Sequence, residues 1–323
     1  MNLESHVAVC SRSFSRDSYL RGILSEKYRN IKFNDSGEAL ADRDLALFLR
    51  GHDKAIIALE KIDINLLSQL PELKVISKYG VGLDMIDFPA MVEKKISLGW
   101  FAGVNKTSVA EMVIGMVIHA LRNTNDAMSL VKNGGWRQII GRELSGATIG
   151  IVGCGHVGHE LIRLLTPFKC NILIHDILDK SQMERDYGVK AVSLEELLMM
   201  SDVVSIHVPL DSSTRYMFGM NQLALMQKGA ILINFARGGI VDEKALQFCL
   251  ENQRIKMAIF DVFDCEPPQN NALLSLANFI ATPHIGGSSI NAIRNMGIAA
   301  INGLDDYYHW TSLKESFSAQ FDY

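Results

Sequence analysis

Apolar runs of strand length recur along the chain, each closed by a Gly, Pro or polar break and followed by a longer stretch in which apolar residues return every three or four positions. The short runs predict buried strands, and the longer stretches predict amphipathic helices that cover them. The early runs are HVAVC (6–10), KAIIAL (54–59) and LKVISKYG (73–80), with helices predicted over 17–28 and 64–70. The later runs are ATIGIVG, NILIHD, DVVSIHVP, GAILINFA, IKMAIFDVF and FIATPHIGG, six strands at βα spacing between residues 147 and 287. Such alternation, uninterrupted by repeats or low-complexity tracts, is the pattern of parallel sheets with helices on both faces.

The chain has 323 residues, and single cores stop growing at roughly 250 to 300 residues. Two domains are therefore predicted. The fold class is α/β, two Rossmann-like doubly wound parallel sheets with a cleft between them. The first domain spans 1–103 and regains the chain at 290–323, through a last helix near 291–308; the second spans 104–289. Ser108-Val-Ala-Glu111 has capping-box spacing and predicts one long helix running to Gly134-Gly135. Its apolar first half reads equally as domain core or as the seam of a homodimer.

Charge and composition narrow the function classes. A net charge of -4 with 48% apolar and 21% charged residues is that of a globular chain without the basic excess nucleic acid demands. The longest apolar helix segment, 112–121, is half the roughly 20 residues of a membrane span. The N-terminus has no basic region or long apolar core of a secretory signal. Five cysteines without CxxC spacing predict reduced thiols, no metal site and a cytoplasmic protein.

Gly153-Cys-Gly155-His-Val-Gly158 lies between a predicted strand and a predicted helix, the context a dinucleotide turn requires. Gly153 suits the tight turn, Gly155 lets the backbone approach a pyrophosphate, and Gly158 brings helix and strand together. The amides of His156 and Val157 are expected to face the phosphates. Asp176 ends the next strand 18 residues beyond Gly158, close to the roughly 20 expected of the acid that receives the ribose hydroxyls. That favours NAD over NADP. Val208 and Pro209 end a further strand where backbone would pass the adenosine half, and His207 beside them reads as structural.

Three charged side chains follow strands in Gly- or Pro-marked segments: Arg237 in INFARGG, Glu266 in DVFDCEPP and His284 in ATPHIGG. Reduction of a 2-oxo acid needs a cation for the carboxylate, a proton donor for the carbonyl oxygen and a hydride. Arg237 offers the fork for a carboxylate. His284 offers a group that exchanges protons near neutral pH. Glu266, if it touches His284, favours the imidazolium. Cys265 has no base beside it and reads as incidental.

GIVGCGHVG, MSDVVSIHVPL, INFARGGIVDE, AIFDVFDCEPP and TPHIGGSS together resemble, in order, the signatures of the D-isomer-specific 2-hydroxyacid dehydrogenase family, and most closely its phosphoglycerate dehydrogenase-like branch. The likeness runs from about Lys78 to Gly297. It implies Arg237, Glu266 and His284 as the catalytic three. It also implies NAD contacts at Phe235, Ala236, Arg237, Asp261, His284 and Gly287 besides the glycine turn and Asp176. Tyr79, Gly80, Val81 and Gly82 correspond to the loop whose amides hold the substrate carboxylate, and Asn105 to a domain-junction residue.

Two departures bear on the substrate. Ile57 and Ala58, with Glu60 nearby, stand where phosphoglycerate-specific members carry an arginine and a serine, although Lys78 could compensate. The sequence stops at Tyr323, so no serine-responsive regulatory domain is expected. Phe235 replaces the small polar residue usual before ARG and is read as packing on the cofactor. The expected activity is NAD-dependent interconversion of a small D-2-hydroxy acid and its 2-oxo acid by a homodimer. The alternative is an NAD(H)-sensing co-repressor of the same fold.

Overall fold

Every strand pair among the described residues, 2–318, is parallel, and in the computed structural model the strands form two sheets of five and seven. The chain divides into two units, Met1–Asn105 with Ile290–Tyr323, and Lys106–Ser289.

In the first unit, β1 (Asn2–Val9), β2 (Tyr28–Phe33), β3 (Lys54–Ile57), β4 (Val75–Lys78) and β5 (Ser97–Gly99) lie in the order β2-β1-β3-β4-β5. The order reverses between β1 and β3. Alternate residues of each strand enter different cores: Ala8, Cys10, Ala55 and Ile57 join one apolar cluster, while Val7, Val9 and Ile56 join another. That period of two is what a sheet covered on both faces produces. The returning helix, Ile290–Asn302, seats on the second cluster. A Cβ on Gly99 would stand 2.0 Å from the Gly303 carbonyl oxygen, and Ser77 Oγ donates to Ala300 O at 2.6 Å. Glycine at 99 is thus required by backbone-to-backbone approach.

In the second unit, β6 (Thr148–Val152), β7 (Asn171–His175), β8 (Lys190–Ala191), β9 (Val203–Ile206), β10 (Ile231–Asn234), β11 (Met257–Phe260) and β12 (Phe279–Ala281) run β12-β11-β10-β9-β6-β7-β8. This is the dinucleotide-fold order with a seventh strand, and it reverses between β6 and β9. Helices Lys106–Leu121 and His156–Leu165 bury apolar residues in one cluster, and helix Leu194–Met200 does so in the other.

Several sequence expectations are corrected. The long helix to Gly134 is two helices, Lys106–Leu121 and Thr124–Lys132, separated at Asn123, whose φ of 51° cannot continue a right-handed helix. Ser108 lies inside the first of them and donates to Gly286 O at 2.7 Å, so it caps nothing. That helix buries one face, through Val109, Val113, Val117 and Ala120, and leaves Glu111 and Ile118 exposed. The helix predicted over 64–70 closes after Leu67, and the last helix after Asn302. β2, β5 and β8 escaped prediction because they are short or, like YRNIKF, alternate polar and apolar residues too irregularly. No helix among the described residues is long and apolar enough to cross a membrane.

Candidate active site

The glycines of the β6 turn are held to glycine for three different reasons. Gly153 has φ 92°, and a Cβ there would meet His207 C at 2.7 Å and Val208 N at 2.8 Å, where β9 passes. A Cβ on Gly158 would stand 2.1 Å from Gly153 O, so helix and turn meet backbone to backbone. Gly155 would meet nothing within 4 Å. Its missing side chain leaves space open to a ligand rather than relieving an internal clash. Helix His156–Leu165 begins there without a side-chain cap, so its first amides, including those of His156 and Val157, remain available to an anion at the positive end of the helix. These residues fit a dinucleotide pyrophosphate.

Asp176, at the end of β7, is seated against that turn. Its Oδ2 accepts from Cys154 N at 2.7 Å and its Oδ1 from Leu178 N at 2.8 Å, while Lys180 Nζ lies 3.5 Å from Oδ2. Each oxygen keeps a lone pair for a ribose hydroxyl. Lys180 offsets part of the Asp176 charge, the charge that disfavours a 2'-phosphate at this position. Burial pushes the neighbouring Cys154 thiol up to about 12, which leaves it inert as a nucleophile. At the end of β9, desolvation lowers His207 to about 4, and its Nε2 meets Ser205 Oγ at 2.8 Å. It is a neutral structural imidazole. Val208 and Pro209 follow in a turn closed by Thr214 Oγ1 donating to Pro209 O at 2.7 Å.

Arg237, Glu266 and His284 leave the same sheet edge because their strands are adjacent and in register: Asn234 pairs with Phe260, and Phe260 with Ala281. Asn234, 1% exposed, shapes the first loop by accepting from Ala236 N at 3.1 Å and donating to Arg237 O at 2.9 Å. The Arg237 guanidinium donates to Ala236 O at 2.8 Å. A Cβ on Gly238 would fall 1.9 Å from Phe263 O, so this loop lies directly on the one that carries Glu266.

Glu266 Oε1 accepts from Phe263 N at 3.1 Å, and Oε2 lies 2.8 Å from His284 Nδ1. The contact that sequence could state only as a condition is made. His284 itself sits at φ 53°, a left-handed conformation that costs a non-glycine residue on the order of 1 kcal/mol or more. Its amide donates to Asp261 O and Thr282 O, both at 3.0 Å.

Asp261 over-determines that conformation. It is 2% exposed, and its carboxylate accepts from Thr282 Oγ1 at 2.5 Å, Ile285 N at 2.8 Å and Gly286 N at 2.7 Å. It therefore fastens the loop from Thr282 to Gly286. Phe235 is 7% exposed in the apolar cluster, and a Cβ on Gly286 would meet its ring at 3.2 Å. The reading of Phe235 as a side chain laid on the cofactor is corrected: its ring packs inward, under the histidine loop. Gly287 is half-buried at the end of that loop.

In the first unit, Tyr79 is 7% exposed, packs edge-on against Phe14 at 5.6 Å, and spends its amide on Ile57 O at 2.7 Å. It drops out of the expected carboxylate loop. The amides of Gly80, Val81 and Gly82 take no partner among the described residues, while Trp100 Nε1 anchors Val81 O at 3.0 Å. Lys78, 4% exposed, gives its ammonium to Ala58 O at 2.6 Å and Tyr79 O at 3.3 Å. Asn105 is half-buried where helix Lys106–Leu121 begins. Sequence reasoning missed Asn234, which falls inside the predicted strand GAILINFA, and Ser108, which read as a helix cap. It named Asp261 but not its work on the loop. No group of three or more potential metal ligands exists among the described residues.

Residues 114–286 match the model of the D-isomer specific 2-hydroxyacid dehydrogenase, NAD binding domain. The chain is 38% identical over 240 residues to D-3-phosphoglycerate dehydrogenase of Methanocaldococcus jannaschii, a match covering 73% of this chain and 46% of that one, so it spans less than half of that relative. It is 36% identical over 246 residues to hydroxypyruvate reductase of Thermotoga maritima, covering 75% and 79%. Its structure is similar to the pyruvate reductase of Chlamydomonas reinhardtii, with a TM-score of 0.81 and 27% identity over 92% of this chain and 95% of that one. With the glycine turn, Asp176 and this match lying in one unit, the chain belongs to the D-isomer specific 2-hydroxyacid dehydrogenase family and carries its NAD-binding domain.

Proposed function

We propose that the chain interconverts a small D-2-hydroxy acid and its 2-oxo acid with NAD(H), and that Arg237, Glu266 and His284 are its catalytic residues. The 2.8 Å contact between His284 Nδ1 and Glu266 Oε2 carries the reading. With Nδ1–H donating to the carboxylate, Nε2 is the nitrogen left to hold the proton exchanged with substrate oxygen. Arg237, fixed on the adjoining loop, supplies a cation that binds the substrate carboxylate and draws electron density from the carbonyl. In the first unit, the amides of Gly80, Val81 and Gly82, unpartnered among the described residues, are the donors proposed for a substrate carboxylate, and Asn105 a further polar contact.

The cofactor is held by the turn from Gly153 to Gly158, by Asp176, and by the backbone at Val208, Pro209, Ala236 and Gly287; when bound as NADH it supplies the hydride. Exposed Met128, Val131, Trp136 and Ile140 support a homodimer, since a monomer gains nothing by presenting such a set to water. The domain limits 1–103 with 290–323 for substrate and 104–289 for NAD, and a cytoplasmic location, complete the proposal. The experiment is a panel of 2-oxo acids with NADH, followed at the nicotinamide absorbance with wild type and His284→Ala. Turnover lost in the variant is the expected result. Tight NADH binding with no turnover on any acid would overturn it in favour of a sensor.

A further inference from the structure

The first unit has a crevice of its own at the place where its strand order reverses. A cavity of about 300 Å³ is lined by Ser11, Arg12, Ser13 and Arg16 after β1, by Ala39 and Leu40 beyond β2, and by the segment Ala58–Glu60 after β3. In an open parallel sheet the crevice outside the carboxyl ends of strands at such a reversal is where ligands bind. Its walls are braced from below. Asn34, 2% exposed, donates through Nδ2 to Cys10 O and Glu38 O, both at 2.9 Å, and its amide donates to Ser15 Oγ at 3.1 Å, so the loops after β1 and β2 are tied together.

The chemistry inside is cationic. Arg12 and Arg16 enter no ion pair among the described residues. Of the acids that flank the wall in sequence, Asp17 Oδ1 accepts from Leu20 N at 3.0 Å, Asp35 is taken by Arg21 at 2.5 Å, and Glu38 is in no ion pair with either arginine among the described residues. The guanidinium of Arg16 lies against Gly37, where a Cβ would come 2.2 Å from its terminal nitrogen. Glu60 opposes this charge, but its Oε2 is turned to the Ala58 amide at 2.5 Å. Among the lining residues two cations stand against one tied carboxylate, and Leu40, Leu59 and Ala58 give the crevice apolar sides.

The crevice also adjoins the loop proposed for the substrate carboxylate. Lys78 Nζ bonds Ala58 O, on the cavity wall, and Tyr79 O, at the start of that loop. We propose that Arg12 and Arg16 bind a second anionic group, a terminal carboxylate or phosphate, at the far end of the 2-oxo acid, and so set substrate choice. The substrate assignment rests on the dehydrogenase reading above; the anion site does not.

Kinetics on acids with and without a charged far end test it: 2-oxoglutarate against 2-oxopentanoate, which has the same five-carbon chain, for a carboxylate, and 3-phosphohydroxypyruvate against hydroxypyruvate, which lacks the phosphoryl group, for a phosphate. Charge-assisted hydrogen bonds lead us to expect Arg12→Gln to lower kcat/KM for the preferred dianion by about 10- to 100-fold while leaving its neutral partner unchanged. Glu60→Gln should raise the dianion value. Equal loss on charged and neutral acids, or wild-type preference for the neutral one, overturns the proposal. Calorimetry of glutarate and of inorganic phosphate with wild type and Arg12→Gln separates the two readings. Should no 2-oxo acid turn over, the dehydrogenase reading fails, yet anion binding lost in Arg12→Gln keeps the site; absence of anion binding in wild type removes it.

Discussion

The two units solve the same packing problem and then diverge at their carboxyl edges. Both are parallel sheets with apolar clusters on either face, and both use glycine where backbone meets backbone, at Gly99 against Gly303 and at Gly158 against Gly153. In the second unit, the edge is crowded with polar contacts that hold a histidine, a glutamate and an arginine in place. In the first, the edge offers bare amides at Gly80 to Gly82 and two arginines without acidic partners. On the reading proposed above, the first edge grips anions, and the second grips a cofactor and moves a proton. The match to the NAD binding domain, residues 114–286, falls wholly within the second unit.

The sharpest break in this comparison is His284→Ala. It should lower kcat/KM by about 10³-fold, in the range of general acid–base catalysis, with NADH affinity unchanged by fluorescence titration. Loss of NADH binding as well would show that the imidazole holds the cofactor rather than the proton.

The paired glycines test whether the edges are separable. Gly158→Ala should abolish measurable NADH binding, because the added carbon meets a carbonyl oxygen at 2.1 Å. Gly99→Ala should destabilise the protein by about 1–3 kcal/mol through overpacking, seen in the melting temperature, while NADH still binds. If both variants lose NADH equally, the units are not independent in this respect.

Asp261→Asn sharpens the claim that the carboxylate works through the histidine loop. The three donors from Thr282, Ile285 and Gly286 then meet one oxygen fewer that can accept, and kcat should fall about tenfold or more through misplacement. The KM for NADH should hold. A fall in NADH affinity with kcat intact would make Asp261 a direct cofactor contact instead.

Smaller effects follow from pH and from the surface. His207 has its pKa depressed from 6.5 to about 4 by desolvation, so the unfolded chain binds a proton that the folded chain refuses. The associated stability is complete above pH 6.5 and is lost as pH falls toward 4, by about 2–3 kcal/mol; His207→Gln should flatten that window in melting curves. Glu160 is held down to about 2, first by Arg163 and also by Thr107, and its contribution is lost lower, as pH falls below 4.5. Trp136→Glu should shift sedimentation toward monomer with folding intact; no shift removes the surface argument for self-association.

Much of this was legible in order. The strand-turn-helix around Gly153–Gly158 is a local pattern, as are the apolar runs that became β6, β7 and β9 through β12, because each needs only neighbours in sequence to be recognised. The inward turn of Phe235 was not legible, since whether a ring meets solvent, cofactor or core depends on what lies beneath the loop; here it is Gly286. Nor was the commitment of the Tyr79 amide to Ile57, which arises only when β3 and β4 pair. The broken helix at Asn123 went unread because an asparagine tolerates both right- and left-handed conformations, and the choice belongs to the packing around it.

Sequence alone determined the alternation of strands and helices, the two-domain count, the dinucleotide turn and the identity of the three charged residues, because periodicity and glycine placement act over a few residues. Only the tertiary structure decided that Glu266 touches His284, that Asp261 and Asn234 shape the loops around them, and that Arg12 and Arg16 line a crevice without entering an ion pair among the described residues. Those facts depend on strands far apart in sequence lying side by side, where distances of about 3 Å, rather than residue types, set the chemistry.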